Sequence, residues 1–229
     1  MTFLVKICGL RDVATLDAAL AAGAGMVGFV HFARSPRHLE LADAARLVAR
    51  ARARGQAQSV VLAVDPDDAT VARIVEEVKP DWLQLHGAET PERVAAIQAA
   101  HDVGLIKAIG VAGPEDVTRA LTYDAADLLL LDARPPRDAT RPGGNGVAFD
   151  WALAGDGRLP PFLLSGGLHP DNVADAIAGL AGQASLAGVD VSSGVENAPG
   201  VKDTALVGAF IRAAVGAACQ RPSMKEPVA

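Results

Sequence analysis

The chain has 229 residues, half of them hydrophobic, and its 21 basic and 27 acidic side chains give a formal net charge of −6. This length is typical of one large α/β domain, and the hydrophobic content excludes a disordered chain. The acidic balance argues against nucleic acid or an anionic membrane as a partner, and no apolar run is long enough to cross a bilayer. No basic-then-apolar leader and no disulfide-type or metal-type cysteine spacing is visible, which predicts a cytoplasmic protein with reduced thiols.

Short apolar runs alternate with alanine-rich amphipathic segments along the chain. The runs predict strands at 3–7, 26–30, 59–64, 82–86, 105–109, 127–132, 162–165 and 186–191. The amphipathic segments predict helices at 12–22, 41–53, 67–78, 91–100, 114–121, 149–153, 170–180 and 201–217. Strict alternation indicates parallel strands joined by right-handed crossovers. Eight such units predict a single-domain (β/α)₈ TIM barrel over residues 1–218, followed by a disordered tail at 219–229.

Polar side chains interrupt strands that a parallel barrel would otherwise keep apolar. Most of them lie at the carboxyl ends of the predicted strands: Lys6, Cys8, Gln84, His86, Asp132, Ser165, Asp190 and Ser192. Because a barrel builds its active site at that end, we expect these side chains to converge on one rim. A buried lysine and two buried aspartates are costly unless they are paired, so we also expect ion pairs across the barrel mouth.

Two glycine-rich turns follow the last two predicted strands. The first contains Gly166 and Gly167, and the second contains Ser193 and Gly194. Loops at these two positions of a barrel frequently bind phosphate through backbone N–H groups. Neither turn contains a lysine or arginine, so the sequence predicts a phosphate held by backbone dipoles, with Lys202 out of reach.

Short motifs distributed along the whole chain allow a comparison with known families. They are KICGL at 6–10, GFV at 28–30, SPR at 35–37, QLHG at 84–87, LD at 131–132, GGNG at 143–146, LSGGL at 164–168, DVSSGVE at 190–196 and PGVKD at 199–203. With these motifs in this order, the chain resembles the phosphoribosylanthranilate isomerase family of tryptophan biosynthesis. It departs from the family pattern at Asn145, where a threonine is usual, and at Ala33-Arg34 ahead of Ser35.

The resemblance implies an Amadori rearrangement of N-(5-phosphoribosyl)anthranilate to 1-(2-carboxyphenylamino)-1-deoxyribulose 5-phosphate, with no cofactor and no metal. It implies that Cys8 is the general base, that Asp132 is the general acid and that Arg37 binds the anthranilate carboxylate. The other substrate contacts that it implies are His86, Gly144, Asn145 and Asp190, with the phosphate on Gly166, Gly167, Ser193 and Gly194. The expected partner is therefore a small phosphorylated molecule, bound by a monomer or a homodimer.

Two other interpretations stay open at this point. The first is another sugar-phosphate barrel isomerase or epimerase. A histidine-pathway isomerase would be expected to carry an aspartate where this chain has Cys8. A metal-dependent epimerase would find only His31 and His86 as candidate histidine ligands. A non-catalytic barrel that binds a phosphorylated ligand is the other. It would keep the glycine turns but would not need both Cys8 and Asp132.

Overall fold

The computed structural model describes residues 3–55, 57–134 and 148–221, and its centre is a closed barrel of eight parallel strands. The strands are β1 (Leu4–Cys8), β2 (Met26–His31), β3 (Gln58–Ala63), β4 (Trp82–Leu85), β5 (Gly104–Val111), β6 (Leu128–Ala133), β7 (Phe162–Leu164) and β8 (Leu186–Val191). Each strand pairs with the next along the chain, and β8 closes the barrel on β1. The predicted TIM barrel is confirmed.

Helices surround the barrel in the predicted order. They are α1 (Val13–Ala21), α2 (Leu41–Arg54), α3 (Asp68–Arg73), α4 (Pro91–Ala100), α5 (Pro114–Ala120), α6 (Val173–Gly179) and α7 (Thr204–Cys219). Two crossovers differ from the prediction: α3 continues as a π-helical turn, Ile74–Val78, and the segment before β7 forms only a 3₁₀ turn, Trp151–Gly155. No helix among the described residues has the length and hydrophobicity that a membrane span requires.

The segment after β8 corrects the prediction that the last helix begins at residue 201. Val201–Lys202 instead form strand β10, which pairs antiparallel with β9 (Glu196–Ala198). Asp203 then accepts hydrogen bonds from two backbone N–H groups of the first helical turn. It is the N-cap, and α7 begins at Thr204. The helix includes Cys219, one residue past the predicted domain boundary, and residues 222–229 lie outside the described part of the chain.

The core has an outer and an inner part because successive strand residues point to opposite faces. Side chains on one face pack under the helices, as Phe29 and Leu131 do. Side chains on the other face meet inside the barrel, even from strands that are not neighbours: Met26, Val60, Ile106, Ala108, Leu128, Leu130 and Leu163. Lys6 and Asp132 follow the parity of this inner set, so the lumen changes from apolar to polar towards the carboxyl ends of the strands.

Candidate active site

The first polar network of the lumen joins strands β1, β8 and the residue after β7. Lys6 and Asp190 are register partners on adjacent strands, and Lys6 Nζ donates to Asp190 Oδ1 at 2.8 Å. Asp190 Oδ2 accepts from Ser165 Oγ at 3.1 Å. All three side chains are buried. The buried lysine therefore has the carboxylate partner that its desolvation requires.

Cys8 lies two residues beyond Lys6 on the same face of β1 and is buried. Burial raises the pKa of the Cys8 thiol, and the nearby Lys6 cation opposes that effect without cancelling it. Burial also disfavours the Lys6 cation, but Asp190 and Cys8 outweigh this and leave the pKa of Lys6 above its ordinary value. At Cys8, burial therefore favours the thiol while the neighbouring Lys6 ammonium favours the thiolate.

A second polar network lies on β4 and β6. Asp132 is buried near the end of β6, where its Oδ1 accepts from the backbone N–H of Ala133 at 2.8 Å. Its Oδ2 is 3.4 Å from His86 Nε2. His86 Nδ1 is in turn 2.9 Å from the amide nitrogen of Gln84. The candidate acid therefore faces an imidazole whose other nitrogen is already engaged.

Gln84 is fully buried, and its Oε1 has no hydrogen-bond partner among the described residues. An unpaired buried carbonyl oxygen costs about 1–3 kcal/mol. The sequence singled out Gln84 only as a polar residue sharing a strand face with His86. The sequence could not predict the contact of its amide with the His86 ring nitrogen, because that contact depends on the conformations of the two side chains.

Arg37 is only 3 % exposed, which excludes a solvated surface arginine. Its Nε and Nη2 donate to the two carboxylate oxygens of Glu196, both at 2.7 Å. Glu196 also accepts from Lys202 Nζ at 2.8 Å and from the N–H of Gly200 at 3.2 Å. Burial works against this carboxylate, but Arg37 and Lys202 keep the pKa of Glu196 below its ordinary value.

Glu196 is a site residue that the sequence analysis did not identify. It belongs to the DVSSGVE motif, but nothing in the sequence pairs it with an arginine 159 positions earlier. Arg37 also lies close to the candidate base: a β-carbon added to Gly9, whose φ is +81°, would be 2.5 Å from Arg37 Cδ. The aliphatic part of the Arg37 side chain therefore lies over Gly9, the residue after Cys8.

The two glycine turns contact each other and their surroundings closely. Gly166 and Gly167 have φ values of +84° and +68°, a region that favours glycine. A β-carbon on Gly167 would lie 2.7 Å from that of Ala148, and one on Gly194 would lie 1.9 Å from the carbonyl oxygen of Leu168. The turn after β8 thus packs directly on the turn after β7.

Both turns contain backbone N–H groups without an acceptor among the described residues. Within the described residues, the N–H groups of Gly166, Gly167, Ser193 and Gly194 donate no hydrogen bond to another part of the chain. Lys202 lies nearer the second turn than its place in the sequence suggests, because Lys202 Nζ donates to the Ser192 carbonyl at 2.8 Å, and its being out of reach of the phosphate stays a prediction. The antiparallel β9–β10 pair folds this lysine back under the turn, and burial lowers the pKa of Lys202.

Two predicted substrate contacts, Gly144 and Asn145, fall in residues 135–147, outside the described part of the chain. Across residues 3–55, 57–134 and 148–221, no group of three or more histidine, cysteine or acidic side chains could hold a metal ion. The described residues thus place the candidate base Cys8 and the candidate acid Asp132 in one lumen, with the two glycine turns after β7 and β8.

Comparisons with known proteins place the chain in a family. Residues 5–213 match the family model described as N-(5'phosphoribosyl)anthranilate (PRA) isomerase. The N-(5'-phosphoribosyl)anthranilate isomerase of Rhodopseudomonas palustris strain BisA53 is 57 % identical over 92 % of this chain and 94 % of its own length.

Two solved structures are also similar, each 32 % identical over 94 % of this chain and 100 % of its own. One contains monomers of the dimeric phosphoribosylantranilate isomerase of Thermotoga maritima, with a TM-score of 0.78. The other is a phosphoribosyl anthranilate isomerase in complex with reduced 1-(o-carboxyphenylamino)-1-deoxyribulose 5-phosphate, with a TM-score of 0.79.

Proposed function

Since the chain belongs to the N-(5'-phosphoribosyl)anthranilate isomerase family, we propose that it catalyses the Amadori rearrangement of N-(5'-phosphoribosyl)anthranilate in tryptophan biosynthesis. One observation carries the proposal for these residues. Cys8 on β1 and Asp132 on β6 face the same lumen, with β7 and β8 between them, and each has its own polar network. This separation suits a reaction that needs an acid and a base on different sides of a sugar.

Asp132 acts as the general acid in this proposal. It protonates the ring oxygen of the ribose as the ring opens, which leaves a Schiff base at C1. The resulting carboxylate is stabilised by the Ala133 N–H on one oxygen and by the His86 ring next to the other. Both oxygens thus have neighbours that support the charge left by the proton.

Cys8 acts as the general base, in its thiolate form, and removes the proton from C2. The enolamine that forms then yields the ketone, as C1 takes up a proton and the C2 hydroxyl loses one. A buried thiol resists ionisation, and the Lys6 cation supplies the opposing field. Lys6 therefore contributes to the base without touching the substrate, and Asp190 holds its ammonium in place.

Arg37 binds the anthranilate carboxylate through the part of its guanidinium that Glu196 leaves available. Glu196 occupies Nε and Nη2, and no described residue accepts a hydrogen bond from Nη1. The substrate carboxylate consequently meets one nitrogen of a guanidinium that is already fixed in orientation. Pre-orientation of this kind reduces the entropy lost on binding.

The substrate phosphate binds between the turns after β7 and β8. The unengaged N–H groups of Gly166, Gly167, Ser193 and Gly194 support this placement, since such groups attract anions. His86 and Asp190 also face the substrate, and Gly144 and Asn145 stay predicted contacts. A cytoplasmic location and the choice between monomer and homodimer stay predictions as well.

The proposed function is tested by adding the purified protein to freshly made N-(5'-phosphoribosyl)anthranilate and following the loss of anthranilate fluorescence. We expect turnover by the wild type and a fall in kcat for Asp132→Asn, which keeps the shape and removes the acid. Folded wild-type protein without turnover would contradict the activity. An Asp132→Asn variant that changes KM and not kcat would instead make Asp132 a binding residue.

A further inference from the structure

The proposed reaction gives no role to Gln84, although its side chain lies fully buried in the lumen against His86. Its amide nitrogen is 2.9 Å from His86 Nδ1, while its Oε1 has no partner among the described residues. A side chain that only filled space here would not need an amide. This contact, and the unpaired oxygen beside it, point to a role that acts through the ring.

We propose that Gln84 is a positioning residue that holds the His86 ring with its Nε2–H directed at Asp132. An amide N–H that donates to Nδ1 requires a lone pair there, so the proton of the neutral ring lies on Nε2. That nitrogen is 3.4 Å from Asp132 Oδ2. The inference rests on the proposed function in so far as Asp132 is the acid.

The unpaired Oε1 explains why an amide suits this position. A half-turn of the amide group places Oε1 against Nδ1, where it can accept a hydrogen bond from the Nδ1–H of a doubly protonated ring. Gln84 therefore keeps a hydrogen bond to His86 in both charge states of the imidazole. A glutamate side chain could only accept a hydrogen bond from the ring, so Gln84→Glu removes the donor. A methionine side chain could neither donate nor accept, so Gln84→Met removes the whole contact.

Two other histidines provide internal standards for the ring state. His38 Nδ1 accepts from the backbone N–H of Phe32 at 3.1 Å, so its neutral ring carries the proton on Nε2, beside Glu40. His31 Nδ1 is 3.0 Å from the carbonyl oxygen of Leu39, which can only accept, so its proton lies on Nδ1. His86 has the arrangement of His38, with a side-chain amide in place of the fixed backbone donor.

The experiment measures ring nitrogen shifts in protein labelled with ¹⁵N-histidine, at a pH where the rings are neutral. The His86 signals are identified by their loss in His86→Asn. We expect wild-type His86 to match His38 and to differ from His31. In Gln84→Met the ring should become a mixture of both tautomers, and in Gln84→Glu the proton should move to Nδ1.

Kinetics in the fluorescence assay complete the test. Loss of ring orientation should lower kcat by about 10- to 100-fold in Gln84→Met with little change in KM. Gln183→Met is the matched control, because Gln183 is another buried glutamine, bonded to the carbonyl oxygens of Ala154 and Asp156 outside the lumen. It should lower thermal stability and change neither kcat nor the His86 signals.

The proposal is overturned if wild-type His86 carries its proton on Nδ1, whether or not any variant folds. It is also overturned if Gln84→Met leaves the His86 signals unchanged. The ring state is measured without substrate, so these results do not depend on turnover. A wild type that fails to turn over the substrate would refute the proposed function, whereas normal turnover with unchanged ring signals would refute only the role of Gln84.

Discussion

Lys6 and Lys107 are both buried lysines on barrel strands, and each is paired with a carboxylate, yet they lie on opposite faces of the sheet. Lys6 on β1 points into the lumen, where it meets Asp190 beside Cys8. Lys107 on β5 lies between two lumen residues in sequence, so it points outwards, towards the helices. Its ammonium donates to Glu89 Oε2 at 2.5 Å and to the Gly87 carbonyl at 2.9 Å.

The outward pair, Lys107–Glu89, connects loops, whereas the lumen pair, Lys6–Asp190, places a positive charge beside Cys8. Glu89 accepts from the backbone N–H groups of Asp65 and Gly87, so the Lys107–Glu89 pair joins the segments after β3 and β4. Among the described residues, Lys6 Nζ donates to Asp190 and to no backbone carbonyl, and its charge favours the Cys8 thiolate. Burial and pairing are common to both lysines, so only the strand face separates Lys6, which we propose supports the base, from Lys107.

The largest effect on the lumen side is expected for Cys8→Ala. A positioned base contributes about 10²–10⁴ in rate, so kcat should fall by that factor while the protein stays folded. Cys219→Ala is the matched control, because Cys219 is the exposed cysteine at the end of α7 and should leave kcat unchanged. Near-normal turnover by Cys8→Ala would show that Cys8 is not the base, and the proposed effect of Lys6 on the thiol would then have no role in catalysis.

Lys6→Met should follow with a fall in kcat of about 10- to 100-fold at neutral pH. The Lys6 cation favours the Cys8 thiolate, so its removal raises the pKa of the thiol further, and the rising limb of kcat against pH should shift to higher pH. The double variant Lys6→Met/Asp190→Asn removes the carboxylate that would otherwise be left unpaired. If its profile returned to that of the wild type, Lys6 would serve only to neutralise Asp190.

Arg37→Met should weaken binding of a product analogue that carries the ortho carboxylate. A charge-assisted hydrogen bond contributes about 1.5–3 kcal/mol, and an analogue without the carboxylate should bind almost as before. Equal losses for both analogues would mean that Arg37 shapes the loop instead. Glu196→Gln, which keeps Arg37 and loosens its orientation, should show the same selectivity with a smaller loss.

Lys107→Met should have the smallest effect on catalysis and a large effect on stability. Removing one partner of a buried ion pair costs about 3–5 kcal/mol, because Glu89 is left charged without a cation. Urea unfolding should show this loss, while kcat at a temperature where the variant is folded should stay close to that of the wild type. A kcat loss as large as that of Lys6→Met would break the contrast between the two faces.

The sequence was sufficient for the barrel because strand and helix periodicities alternate cleanly, and the polar strand ends mark the rim. It was insufficient where contacts join distant segments. Nothing local distinguishes Val201 as a strand residue from the start of a helix, and its antiparallel pairing with Ala198 decides the outcome. The same fold-back brings Lys202 under Ser192, which separation in sequence could not predict.

The glycines show a different limit. The sequence indicated only that Gly167 and Gly194 belong to turns suited to phosphate, whereas in the structure both face neighbouring chain at distances that exclude a β-carbon. A sequence shows that a position is glycine and not which atoms approach it. Valine at either position would therefore disturb the protein's own packing before any effect on phosphate could be measured.

Those glycine contacts also limit how this barrel can be re-engineered. TIM barrels are often treated as a scaffold with interchangeable loops at one end. Here Gly166 abuts the backbone nitrogen of Ala133 at the end of β6, and Gly194 abuts the Leu168 carbonyl, so the turn after β7 packs against both β6 and the turn after β8. A loop graft that replaces the turn after β7 or the turn after β8 inherits the steric demands of the other, so we expect the two turns to be exchangeable only together.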